Sequence, residues 1–122
     1  MIVGIGVDIV EVERIESALS NPRTGARFRE RVFTPNEVAY CERRRNSQES
    51  YSARFAAKEA VMKALGRAYG WREIEVARLD GPPTVVLYGR ASRRAAELGV
   101  TRFHLALSHT AQTAIAYVVA ER

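Results

Sequence analysis

The chain has 122 residues, 47% of them hydrophobic and 27% charged, with a formal net charge of +5 at pH 7. This composition is ordinary for one folded domain spanning 1–122 and excludes a low-complexity chain, and no apolar run approaches the roughly 20 residues of a membrane span. The positive balance calls for an anionic partner, whether nucleic acid, a membrane surface, a phosphorylated small molecule or an acidic protein, while the single cysteine, Cys41, excludes an internal disulfide and reads as a packing residue.

Residues 2–7, IVGIGV, read as a buried strand. Asp8 interrupts the apolar run, and with no basic residues before it the segment does not read as a secretory signal; the expected location is the cytoplasm. EVERIESAL then places Val12, Ile15 and Leu19 at helical spacing, so Asp8 is expected where a strand gives way to a helix. NPRTG is a turn. ARFRERVF is basic and carries Phe28, Val32 and Phe33. Thr34, Pro35 and Glu37 spell a helix start, with a threonine cap, a proline at the first position and a glutamate closing a capping box. A longer helix is expected at about 48–67, capped by Asn46 or Ser47 and ending near Gly66 or Gly70. IEVARL, 74–79, and TVVLY, 84–88, read as strands joined by the turn Asp80-Gly81-Pro82-Pro83. RASRRAAEL is an amphipathic basic helix closed by Gly99. RFHLALSH alternates Phe103, Leu105 and Leu107 against His104, Ala106 and Ser108, which is a half-buried strand. His104 reads as structural. TAIAYVVAE is a final strand returning through a turn at Thr110 to Gln112. Strands and helices follow no regular βαβ rhythm, so the expected class is α+β, with an antiparallel sheet packed against a long central helix.

That helix is the unusual element. Of the 19 basic residues only Lys58 and Lys63 are lysines, and both lie in RFAAKEAVMKALG. On a helical wheel Tyr51, Phe55, Met62 and Leu65 gather on one side, with Ala56, Ala57, Ala60 and Ala64 roughly opposite. Both sides can pack. Glu59 and Lys63 fall at one seam, Arg54 at the other, and Lys58 within the bulky side. Glu59 with Lys63 and Arg54 with Lys58 are both spaced as i, i+4 pairs. Charges on a helix packed on two sides need partners, ligands or a route to water. One reading is surface salt bridging. The sharper one is a phosphate and metal site, with Glu59 on a divalent cation, lysines on phosphate oxygens and Asp8 as the second carboxylate. Gly4 and Gly6 lie inside a strand pattern and lack the third glycine of a dinucleotide fingerprint. His109, between Ser108 and Thr110 at a strand end, supplies a group that can donate to phosphate.

Three segments in order, GIGVDIVEVERI, RFAAKEAVMKALG and LSHTAQTAIAYVVAE, resemble the holo-acyl-carrier-protein synthase family of small bacterial 4′-phosphopantetheinyl transferases. RFRERVFTPNEVAYC is similar to that family's RFxERxxTxxE segment, and GPP to its GKP. The resemblance implies the family's α+β fold and its reaction. The 4′-phosphopantetheine of coenzyme A moves to a serine hydroxyl of apo acyl carrier protein, 3′,5′-ADP leaves, and the product serves fatty acid biosynthesis. It further implies Mg²⁺ held by Asp8 and Glu59, with Lys63 near the phosphates, so that Asp8, Glu59 and Lys63 form the catalytic set. Arg54, Lys58, Lys63, Gly66, Pro83, Ser108, His109 and Thr110 would line the coenzyme A site. Arg14, Arg27, Phe28, Arg29 and Arg31 would face an acidic carrier protein. Family members are similar in being trimers with active sites between subunits, which would account for an alanine-rich second helix face. The family often carries a glycine-rich GTGIGGG loop after ALG; here GRAYGW is shorter and bulkier, so contacts from Arg67 to Trp71 are not carried over.

The residue chemistry agrees with phosphoryl transfer, which needs charge neutralisation and positioning more than a covalent intermediate. Lysine is a compact charge suited to phosphate, arginine a planar fork suited to carboxylates. The serine proton goes either to Glu59 or to a water on the metal, and the second is preferred because a carboxylate holding Mg²⁺ is a poorer base. Neither a nucleic-acid nor a membrane partner is expected. The basic residues are scattered over several segments, and no standard nucleic-acid motif accompanies them.

Overall fold

The computed structural model describes residues 1–78 and 81–122. The expected strand end at Leu79 and turn residue Asp80 lie outside the described residues. Strand β1 (Ile2–Glu11) leads into α1 (Val12–Ser20), α2 (Gly25–Val32), α3 (Pro35–Glu42) and the central α4 (Ser47–Leu65). A short 3₁₀ turn (Trp71–Glu73) precedes the hairpin of β2 (Ile74–Ala77) and β3 (Thr84–Leu87). Helix α5 (Gly89–Leu98) and strands β4 (Arg102–His109) and β5 (Thr113–Glu121) complete the chain. β1, β5 and β4 form one antiparallel sheet in that order, while β2 and β3 pair separately. The class is α+β, as expected, with the larger sheet packed on α4.

Local chemistry accounts for the boundaries. Thr34 Oγ1 accepts from Glu37 N at 3.2 Å and Glu37 Oε1 accepts from Thr34 N at 2.9 Å, the expected capping box, with Pro35 at the first turn of α3. Gly66 ends α4 at φ 79°, where a side chain would be strained. One boundary differs from expectation. β1 runs on through Asp8 to Glu11, because Asp8, Ile9, Val10 and Glu11 pair in register with Ala116, Ile115, Ala114 and Thr113. Asp8 is therefore a strand residue and caps no helix.

Helix α4 is buried along nearly its whole length. Its bulky side, with Tyr51 and Phe55, joins Phe33 in the core, and the Trp71 ring stacks 4.8 Å from that of Phe55. Its alanine side lies on the sheet. A Cβ on Gly4 would sit 2.1 Å from the Ala64 carbonyl oxygen, and one on Gly6 1.9 Å from that of Ala60. The two glycines thus serve close approach of β1 to α4. The alanine face packs within the chain, so it is not the surface that explains a trimer. The outward face of the sheet carries exposed Ile5, Val7, Ile9, Ile115 and Tyr117. Among the described residues no helix is long and apolar enough to cross a membrane.

Candidate active site

Alternation along β1 puts Asp8 on the same face as Gly4 and Gly6, toward α4. There Lys63 Nζ donates to Asp8 Oδ1 at 3.2 Å and to the Val7 carbonyl at 2.9 Å. The Asp8 side chain is 18% exposed and that of Lys63 55%. Glu59, half-buried, lies one helical turn before Lys63 on the same side of α4. Lys63 reaches across to Asp8 rather than back to Glu59, which among the described residues makes no ion pair. Two carboxylates and one accessible ammonium thus share the seam between β1 and α4. The donor set is hard oxygen, and among the described residues no group of three or more His, Cys, Asp or Glu could hold a metal ion. A pair of carboxylates completed by substrate oxygens is the pattern that suits Mg²⁺.

Lys58 belongs elsewhere, against expectation. Its side chain and that of Glu37 are fully buried and their charged atoms lie 2.7 Å apart. Lys58 Nζ also donates to the carbonyls of Trp71, at 3.0 Å, and Ile74. Its ammonium is held by partners inside the chain. Burial lowers its pKa from the usual lysine value, with Glu37 opposing that shift. Glu37 Oε2 accepts from Val76 N at 2.8 Å. Beside it, buried Glu75 accepts from the Thr34 hydroxyl and, at 2.9 Å, from Tyr88. The helical wheel put Lys58 within the bulky side, where it needed a partner, a ligand or a route to water. Glu37, 21 positions away, was legible only as a cap.

A second basic feature forms at the other end of α4. Arg43, Arg44, Arg45, Asn46, Ser50 and His109 line a cavity of about 250 Å³. His109 Nδ1 lies 2.9 Å from Glu49 Oε1. The three arginines were visible in the sequence only as a charge run, and nothing local joined them to His109. Arg54 is buried, with its guanidinium 4.0 Å from the Tyr40 ring centroid and its Nε lacking a partner among the described residues. Ser108 is exposed at the end of β4, and Thr110 Oγ1 accepts from the backbone of Gln112 and Thr113 in the turn that follows. Gly66 is exposed at the end of α4, and Pro83 is half-buried just before β3. Arg14 on α1 and Arg27 and Arg31 on α2 are exposed. Phe28 is half-buried and stacks with Phe55 at 6.4 Å, and Arg29 is half-buried with its Nε shielded. These two contribute to the α2 packing as well as to its basic face.

Comparison with known proteins gives a consistent result. The family model described as the 4′-phosphopantetheinyl transferase superfamily matches residues 4–118. A curated relative from Solibacter usitatus, holo-[acyl-carrier-protein] synthase, is 48% identical over 99% of this chain and 99% of its own length. The crystal structure of holo-[acyl-carrier-protein] synthase from Neisseria meningitidis superposes with a TM-score of 0.87 at 36% identity, covering 100% of both chains. That of the Helicobacter pylori synthase in complex with coenzyme A gives 0.81 at 29% identity, covering 96% of this chain and 99% of the other.

Proposed function

The chain belongs to the holo-acyl-carrier-protein synthase family within the 4′-phosphopantetheinyl transferase superfamily, and on that footing we propose that it transfers 4′-phosphopantetheine from coenzyme A to a serine of apo acyl carrier protein. The observation that carries this reading is the seam of Asp8, Glu59 and Lys63. Residues 1–122 act as one transferase domain, in the cytoplasm, supplying carrier protein for fatty acid biosynthesis. The two carboxylates fit Mg²⁺, which when bound would neutralise charge on the pyrophosphate. Lys63, exposed at its tip, turns from Asp8 toward phosphate oxygens. The carrier serine oxygen forms a bond to the phosphorus that bears pantetheine, the anhydride bond to that phosphorus breaks, and 3′,5′-ADP leaves. The serine proton passes to a water at the pair of Asp8 and Glu59, or to Glu59 itself, and from there to solvent.

Coenzyme A carries a 3′-phosphate besides its pyrophosphate, and the cavity of Arg43, Arg44, Arg45 and His109 has the charge to hold it. Glu49, which touches His109, and Glu59 are ten positions apart on α4, about 15 Å along the axis. That exceeds the spacing of the two phosphate groups on one nucleotide. A complete site therefore combines the seam of one subunit with the basic cavity of another, in the trimer expected of the family. The uncovered sheet face, where Ile5 and Ile9 are 57% and 65% exposed, is the surface that a second copy covers. Arg14, Arg27 and Arg31 meet the acidic carrier protein.

The test is to incubate the protein with coenzyme A, Mg²⁺ and apo acyl carrier protein and to weigh the carrier. The proposal expects a gain of one phosphopantetheine. A folded enzyme that leaves several carrier proteins unmodified contradicts it, and a monomeric mass in light scattering contradicts the shared site.

A further inference from the structure

The contact between α4 and the sheet is made mostly of small residues. On the helix it offers Ala56, Ala60 and Ala64, and on the sheet Gly4, Gly6, Ala114, Ala116 and Ala120, with Val10 and Val118 the larger buried side chains of β1 and β5. Small residues bring backbones close, but they supply few interdigitating side chains to set how the helix is rolled about its axis. Yet the roll matters. A group 5–6 Å from the axis moves by about 1 Å for a roll of about 10°, and a misplacement of that size costs about 10²-fold in rate where positioning carries the chemistry.

On the opposite side of α4 the buried Tyr51, Phe55, Met62 and Leu65 pack into the core, and Lys58 adds to this non-directional packing a contact of fixed direction. Its ammonium has three N–H donors and finds three acceptors, Glu37 Oε1, the Trp71 carbonyl and the Ile74 carbonyl. None of the three is a loose side chain. The carbonyls belong to backbone, and Glu37 is itself held by Thr34 N and Val76 N at 2.9 and 2.8 Å. The ammonium is therefore bound from fixed directions by the start of α3, the 3₁₀ turn and the start of β2. Glu59 is the next residue, and Lys63 follows little more than one turn later.

We propose that Lys58, held by Glu37, is a positioning residue that locks the roll of α4 and thereby aims Glu59 and Lys63 at coenzyme A. This inference rests on the functional reading given above. A fully satisfied buried ion pair is a poor source of net stability but a good source of a unique arrangement. Stability and substrate affinity should therefore come apart when the pair is neutralised.

The test uses Lys58→Met combined with Glu37→Gln, in which the amide oxygen keeps one of the two backbone N–H bonds that Glu37 accepts. Two quantities are followed beside the wild type: melting, read by the fluorescence of the single tryptophan Trp71, which stacks on α4, and coenzyme A affinity in the presence of Mg²⁺, read by calorimetry. The double variant is expected to melt cooperatively, to bind coenzyme A about tenfold or more weakly, and to keep its KM for carrier protein. A cooperative melt with coenzyme A affinity within about twofold of wild type overturns the proposal. Should the double variant not melt cooperatively, Lys58→Arg is measured in the same way. It keeps the charge but replaces a compact ammonium by a planar fork; weakened binding by a folded Lys58→Arg supports the proposal and unchanged binding overturns it. A wild-type chain that binds no coenzyme A overturns the functional reading itself, an outcome distinct from a variant that binds as well as wild type.

Discussion

The two lysines of α4 each pair with a carboxylate, and the two pairs differ in every physical respect that bears on function. Lys58 and Glu37 lie 2.7 Å apart with both side chains fully buried, whereas Lys63 and Asp8 lie 3.2 Å apart with the lysine 55% exposed. The buried pair is tied to α3, β2 and the 3₁₀ turn, with all three N–H groups of the Lys58 ammonium and both oxygens of Glu37 engaged. The open pair has capacity to spare, and a neighbour, Glu59, with no partner among the described residues. One helix thus carries a buried frame and an open edge, and burial tells them apart where residue type cannot.

That contrast can be broken by substitution. The largest expected effect is on the frame. Lys58→Met alone leaves Glu37 as an uncompensated buried charge and should cost about 3–5 kcal/mol of unfolding free energy, read by urea denaturation; a loss below about 1 kcal/mol would mean that water reaches Glu37. Next comes the open edge. Lys63→Ala should lower kcat/KM about 10²-fold while changing stability by no more than about 0.5 kcal/mol, because the pair it breaks is open to solvent. The smallest effect concerns a third carboxylate, Glu73, which joins the loop after α4 to the start of α5. Desolvation would raise its pKa, but donation from the backbone of Gly70, Ala91 and Arg90 outweighs this and holds it below the ordinary 4.5. Its folded value being depressed, its stabilising contribution is complete above about 4.5 and is lost as pH falls through the lowered value. Thermal melts at falling pH should show this acid step in wild type and lose it in Glu73→Gln.

The elements were largely legible because their signals are local. Thr34, Pro35 and Glu37 announce α3, the alternation of Phe103, Leu105 and Leu107 announces β4, and Gly66 marks the end of α4. The junction at Asp8 was misplaced because strand pairing with Ala116 is long-range and overrides the pattern of the chain around it. Asp8, Glu59 and Lys63 stood out as charges on elements that otherwise bury apolar surface. What the sequence concealed were partners. Lys58 was visible as a charge within the bulky side but not its partner Glu37, and Arg43 to Arg45 were visible only as part of the scattered basic charge, with nothing to join them to His109 in one cavity. The alanine face was legible as a packing surface, but its mate proved to be Gly4 and Gly6 of the same chain.

The most direct test of this division of labour is a paired measurement on the Asp8→Ala, Glu59→Ala double variant, following phosphopantetheine transfer to the carrier protein by mass and the melting temperature of the same sample. The account predicts that transfer falls by about 10³-fold or more while the melting temperature stays near that of wild type. Transfer at close to the wild-type rate, or its loss together with the fold, would contradict the assignment of the open seam as the reacting site.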